Sequence, residues 1–241
     1  MKRVTVVQIM SSVMLLAVMT SSGQAAIWSD GFESGLGNWT TWSESVSDPA
    51  PFETVTSFNG VNPHGGNYMA LQKQTINGSN QKCQLVRTAG FAPSGDQGML
   101  TAYVNIASSD TEVPANSMMV GAYDDAAGES LWLGYDRNNP KLYYRGSGYN
   151  QTYTNIDAQF HHWYKVEFVI GDSGTSLYVD DTFVVTYTSM TKIDAVKVAG
   201  TYWGSSPFPG ILVDDVSFVP EPATICMIGI GACVLGFLRR R

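Results

Sequence analysis

Two groups of side chains in this sequence have the types and spacing to do chemistry. The first is acidic. Asp30 and Glu33 lie in Trp28-Ser29-Asp30-Gly31-Phe32-Glu33-Ser34-Gly35, and Asp214 and Asp215 lie in Ile211-Leu212-Val213-Asp214-Asp215-Val216. Such oxygens suit calcium, which takes about six to eight ligands from carboxylates and backbone carbonyls. The Gly31 and Gly35 loops would expose carbonyls beside them. Adjacent residues of a strand point to opposite faces, so only one of Asp214 and Asp215 is expected to be a direct ligand. The second group is aromatic: Trp132, Tyr135, Tyr143, Tyr144, Tyr149 and Tyr153 crowd one stretch, and Tyr202-Trp203 stands in a Gly/Pro/Ser loop. Exposed rings can stack on the C–H faces of a pyranose. Trp132, Tyr135, Tyr144, Tyr149 and Trp203 are the expected carbohydrate contacts, with Asn138, Asn139, Arg145, Asn150 and Gln151 as polar neighbours. Trp39 and Trp163 are assigned to the core, since aromatic side chains dominate cores.

Other chemistries find less support. The three histidines are His64, His161 and His162. Neighbours on a strand face opposite ways, so His161 and His162 do not chelate one metal together. No Cys/His metal spacing, phosphate-binding glycine loop or serine nucleophile elbow occurs. A retaining glycosidase needs two carboxylates about 5 to 5.5 Å apart, and no Glu-x-Asp-x-x-Glu run is present. Tyr143-x-Arg145-x-x-x-Tyr149-Asn150-Gln151 resembles a motif of jelly-roll alginate lyases, and Gln159-Phe160-His161 another. Their order along the chain is reversed relative to that family, whose Arg/Glu-rich strand is missing here. A glycosidase or polysaccharide lyase is therefore the alternative expectation, and a non-catalytic protein the leading one.

The elements that must position these residues are strands. Leu100, Ala102, Val104 and Ile106 alternate with other residues, as do Tyr164, Val166, Phe168 and Ile170, and again Phe183, Val185 and Tyr187. Turn signals separate such runs: Asn77-Gly78, Asn138-Asn139-Pro140, Asp172-Ser173-Gly174 and Asp180-Asp181. Period-two runs without a helical period of useful length predict a β-sandwich. Residues 26–219 are large enough for a jelly roll of roughly a dozen strands.

The two ends of the chain differ in kind from this middle. Lys2 and Arg3, the apolar run Val13–Met19 and the small residues Ser21–Ala26 make the three parts of a signal peptide. Cleavage after Ala25 makes residues 1–25 the leader. At the other end Pro220-Glu221-Pro222 precedes the uncharged stretch Ala223–Leu238 and then Arg239-Arg240-Arg241. As a helix, 223–238 would span roughly 24 Å, slightly short of a hydrocarbon core of about 30 Å. The arginines would stay cytoplasmic and leave the domain outside.

These address segments hold five basic residues and one acid, so the domain between them carries nine basic and twenty acidic residues, net −11, against −7 for the whole chain of 241 residues. That balance argues against nucleic acid and other polyanions as partners. Only Cys83 lies in the domain, so no disulfide forms within it. Cys83 is expected to be a buried small residue.

The C-terminal 22 residues closely resemble the PEP-CTERM sorting signal of exported bacterial proteins, carried by Pro220, Glu221, Pro222, the apolar helix and Arg239, Arg240 and Arg241. The resemblance implies a precursor inserted in the inner membrane, an exosortase-type membrane protease as partner, and a mature form at the cell surface or outside the cell. Residues 28–39 and 211–218 resemble the opening and closing strands of jelly-roll carbohydrate-binding modules. Trp163-Tyr164-Lys165-Val166-Glu167-Phe168 with Leu177-Tyr178-Val179-Asp180-Asp181 resembles the laminin-G-like or concanavalin A-like lectin pattern. These families place first and last strands together and often hold a structural calcium there, which would involve Asp30, Glu33, Asp214 and Asp215. The expectation is thus an all-β, concanavalin A-like jelly roll between a signal helix and a single transmembrane helix. It is expected to associate with extracellular polysaccharide or, alternatively, to serve as a protein-adhesion module.

Overall fold

The computed structural model describes residues 28–44, 52–74, 82–92, 94–107, 117–136, 138–148, 150–201 and 208–220. The leader 1–25 and the tail helix 223–238 lie outside them. Among the described residues no helix is long and apolar enough to cross a membrane.

The alternating runs become strands, in chain order β1 (Trp28–Asp30), β2 (Thr40–Glu44), β3 (Phe52–Val55), β4 (Met69–Gln74), β5 (Lys82–Arg87), β6 (Gly98–Ile106), β7 (Ser117–Asp124) and β8 (Glu129–Asp136). There follow β9 (Asn139–Arg145), β10 (Thr152–Asp157), β11 (Trp163–Gly171), β12 (Gly174–Val179), β13 (Thr182–Tyr187), β14 (Ala195–Thr201) and β15 (Phe208–Pro220). One eight-stranded sheet has the order β13-β12-β11-β6-β15-β4-β3, with β1 also paired to β15. A seven-stranded sheet has the order β10-β9-β8-β7-β14-β5-β2. All pairs are antiparallel, and the molecule is an all-β sandwich.

Period two explains the core. Leu100, Ala102, Val104 and Ile106 of β6 and Tyr164, Val166, Phe168 and Ile170 of β11 all point between the sheets, at 0–1% exposure. Leu131, Leu133, Val196, Val198, Leu85 and the buried Cys83 meet them from the other sheet. Trp39 joins this core as expected. Trp163 does not. It packs, half-buried, with a smaller cluster of Val61, Met69, Leu71, Ala107 and Leu212. That cluster lies on the outer face of the eight-stranded sheet, under the connection from β3 to β4, and the Trp163 indole N–H donates to the Asn62 carbonyl at 3.1 Å.

Two register shifts override simple alternation. In β12–β13, Leu177 stands opposite Val185 but Tyr178 stands opposite Phe183, so β13 carries one extra residue. In β6–β15, Tyr103 stands opposite Asp214 but Thr101 stands opposite Ser217, so β15 carries one too. A bulge of this kind reverses the facing of every residue beyond it.

Candidate functional site

β1 pairs with β15 in the register Trp28↔Phe218, Ser29↔Ser217 and Asp30↔Val216. First and last strands therefore do lie side by side, but the four carboxylates do not converge. Asp30 shares the inward face of β1 with Trp28. Its Oδ2 accepts from the Arg87 guanidinium at 2.9 Å, the Trp39 indole at 3.0 Å and the Asn38 amide at 3.2 Å, and its Oδ1 accepts from the Phe32 N–H at 2.9 Å. This buried pair lies beneath Trp28, whose ring centroid is 4.1 Å from the guanidinium carbon.

Glu33, Asp214 and Asp215 lie on the other side of the strand and hold a different object, the segment His64–Tyr68. Glu33 Oε1 accepts the Asn67 and Tyr68 backbone N–H groups at 2.7 and 2.9 Å, which draw its carboxyl below the usual range. Asp214 Oδ2 accepts from the Gly65 N–H at 3.1 Å, and its Oδ1 from the Asp215 N–H at 2.8 Å. Asp215 Oδ2 meets His64 Nδ1 at 2.7 Å, and the imidazole stacks on Tyr103 with centroids 3.6 Å apart. The expectation that Asp214 and Asp215 face opposite ways is corrected. The β15 bulge, with Asp215 at a φ of 46°, brings both against Gly65, where an added Cβ would stand 3.0 Å from Asp215 Oδ1. Gly65 needs its bare Cα for this approach.

This donor set does not fit a calcium cage. Asp30 is spent on Arg87 in the core, and the remaining carboxylates already accept internal N–H donors or pair with His64. Among the described residues no three His, Cys, Asp or Glu side chains come together as ligands. What the cluster does is clasp the β3–β4 connection to the sheet.

Burial pushes the Asp214 carboxyl up from its ordinary 3.8 to about 6, against the N–H groups of Gly65 and Asp215 that hold it down. The folded value lies above the unfolded one, so the fold binds the extra proton. Its contribution to stability is therefore complete below about pH 4 and declines as pH rises to about 6. Urea unfolding of the wild-type chain and of Asp214→Asn between pH 4 and 6.5 should show the wild type losing stability relative to the variant as pH rises. Parallel profiles would contradict this.

The predicted sugar-stacking rings are placed unevenly. Trp132 and Tyr135 are 2% and 3% exposed, so neither presents a ring face to a ligand. Tyr135 points into the core against Phe160. Trp132 lies on the outer face of the seven-stranded sheet, flat over Gly121, and donates from its indole to the Tyr123 hydroxyl at 3.1 Å. Tyr143 lies over Gly134 in the same manner. Tyr144 is half-buried. Tyr149 and Trp203 fall outside the described residues.

An open groove of about 270 Å³ lies where the edge strands of the two sheets, β10 and β13, face each other. Tyr144, Tyr153, Phe183, Val184 and Ile156 form its apolar part, and Thr152, Thr154, Asn155 and Thr182 its polar part. Tyr153 and Phe183 are among the most exposed large apolar side chains, at 40% and 56%. The Tyr153 hydroxyl donates to Asp136, which aims the ring and raises the phenol above its ordinary value. Strict alternation would put Phe183 on the same face as Val185 and Tyr187; the β13 bulge turns it outward, edge-on to Tyr178 at 5.6 Å. No signal in the residue pattern marks that extra residue.

Comparison with known proteins follows the same division between sandwich and tail. The fold matches "Cellulose induced protein, Cip1", with a TM-score of 0.60 and 15% identity, over 80% of this chain and 97% of that one. It also matches the carbohydrate esterase vb_24B_21 from Shiga toxin-encoding bacteriophage phi24B, with a TM-score of 0.53 and 14% identity, over 83% of this chain and all of the other. A structure from work on endo-acting O-glycanases of the human gut microbiota gives 0.53 at 11% identity, over 82% and 100%. At these identities the likeness is one of fold. No curated protein sequence matches the chain. The molecule is thus a β-sandwich with the fold of these proteins. Residues 218–241 match the PEP-CTERM protein-sorting motif, the C-terminal sorting signal of exported proteins whose precursors are membrane-anchored and processed by an exosortase.

Proposed function

We propose that the mature domain is a non-catalytic polysaccharide-associating protein outside the cell, and that the β10/β13 groove takes an uncharged glycan segment. The observation that carries this reading is the groove itself, in which two exposed rings, Tyr153 and Phe183, accompany hydroxyl and amide side chains. Ring faces supply stacking area, while Thr152, Asn155 and Thr182 supply partners for sugar hydroxyls. None of the described lining residues carries a formal charge, and the domain is net −11, which disfavours an anionic chain such as alginate.

Affinity electrophoresis through xylan, laminarin and alginate tests this. Retardation is expected in a neutral polysaccharide, with no oligosaccharide released. Phe183→Ala should weaken it by about ten-fold, the effect of roughly 1.4 kcal/mol lost at a central aromatic contact, without a change in Tm. Migration unaffected by every neutral polysaccharide would sink the reading. Release of oligosaccharides would favour a glycosidase or lyase instead.

A further inference from the structure

The sorting motif begins inside the fold. β15 runs to Pro220, with Phe218, Val219 and Pro220 in register with Leu100, Met99 and Gly98 of β6. β6 in turn pairs Gly98 with Ile170 of β11, so Pro220, Gly98 and Ile170 form one row at one end of the eight-stranded sheet. Gly98, at a φ of 150°, is held against the end of β15 so closely that an added Cβ would stand 2.8 Å from Pro220 Cα. β15 has ladder partners on both sides as far as Phe218, β6 on one and β4 and β1 on the other, and its last two residues, Val219 and Pro220, stay in the ladder with Met99 and Gly98 of β6. No spacer therefore separates the sandwich from Glu221-Pro222 and the apolar stretch that starts at Ala223.

The length of chain then places the sandwich. Three residue steps, from Pro220 to Ala223, reach at most roughly 10 Å when fully extended. The headgroup layer outside the hydrocarbon is itself roughly 5 to 8 Å deep. We infer that in the membrane-anchored precursor the row Pro220–Gly98–Ile170, with the β11–β12 turn Asp172–Ser173 and the segments 88–92 and 94–97 beyond it, is a lipid-facing surface seated at the headgroups. The β12–β13 turn at Asp180–Asp181, level with Lys165 of β11, stands roughly 17 Å farther out, five residue steps of strand from Ile170. The N-terminal side obeys the same geometry. β1 is antiparallel to β15, with Trp28 opposite Phe218, so the chain enters the fold at the end where it leaves. Asp96, Asp172 and Lys192 at this end form no basic cluster, so the short tether rather than charge attraction holds the surface there.

The inference rests on 223–238 being the anchor, and the test separates the two. Full-length precursor with Cys226→Ala and Cys233→Ala is placed in vesicles of phosphatidylethanolamine and phosphatidylglycerol containing a nickel-chelating lipid as headgroup quencher. A fluorophore is attached at Ser173→Cys or at Asp181→Cys, while Cys83 is fully buried. Quenching at position 173 should exceed that at 181 by about three-fold or more. Inserting a twelve-residue Gly/Ser spacer between Pro220 and Glu221 should abolish the difference. Equal quenching at both positions without the spacer, in protein that resists carbonate extraction, would overturn the surface. Release of the protein by carbonate would overturn the anchor, and the surface with it.

Discussion

Asp30→Ala is expected to lower the stability of the domain by about 3 to 5 kcal/mol, the usual cost of leaving one member of a buried ion pair without its partner. The carboxylate accepts four hydrogen bonds, from Arg87, Trp39, Asn38 and the Phe32 backbone, and both charged side chains are under 10% exposed. Burial draws the Arg87 pKa below its ordinary value, and Asp30 is the group that draws it back up. Alanine would leave a buried guanidinium with the Ala89 carbonyl and the indoles of Trp28 and Trp39 but no counter-charge. For a domain of this size each kcal/mol corresponds to about 2 to 4 °C, so Tm should fall by roughly 10 °C. A loss under about 1 kcal/mol in urea unfolding would mean that water reaches Arg87. Asp30→Asn, which keeps the shape and most acceptor capacity, should fall between wild type and alanine.

Gly121→Ala should cost about 1 to 3 kcal/mol, the range for forcing extra volume into a packed site. The added Cβ would stand 2.6 Å from Trp132 Cε3 and 2.8 Å from Cε2, and the nearest atoms around it all belong to that indole. The ring has little room to withdraw, because Tyr123 meets it edge-on at 5.3 Å and takes its N–H bond. A double-mutant cycle isolates this contact. Trp132→Ala alone should cost about 3 to 5 kcal/mol, and the double variant should lose about 1 to 3 kcal/mol less than the sum of the singles. Strict additivity would mean that the strain at Gly121 lies in the backbone.

Gly121 also explains why the aromatic residues were only partly legible in the sequence. A tryptophan among tyrosines and polar residues has the composition of a sugar platform. Whether a ring is offered to a ligand or laid on its own sheet depends on what stands on the neighbouring strand. Gly121 opposite Trp132 and Gly134 opposite Tyr143 leave the space into which the rings fold. The neighbours are created by the register of the β7–β8 and β8–β9 hairpins, which the composition of the aromatic stretch does not specify.

The acidic residues carry the same lesson at the level of single side chains. That β1 and β15 would meet was inferred correctly from the resemblance of their sequences to known opening and closing strands. Asp30 turns inward because it is an even step from Trp28, and Asp214 turns outward. Asp215 joins Asp214 only because one extra residue interrupts the β15 ladder.

The sequence by itself determined the class of fold, the strands that build the core and the presence of a sorting signal at residues 220–241. Each of these is carried by local information: a period of two, turn residues between the runs, or a contiguous motif. The tertiary structure alone decided which carboxylates are spent on Arg87 and which clasp the His64–Tyr68 segment. It also decided which rings face solvent, and that Pro220 belongs to a sheet as well as to a motif. Those outcomes turn on cross-strand register. Register is set by pairing between strands, whether neighbours in a hairpin or the two ends of the domain, and one bulged residue reverses the face on which every side chain beyond it lies.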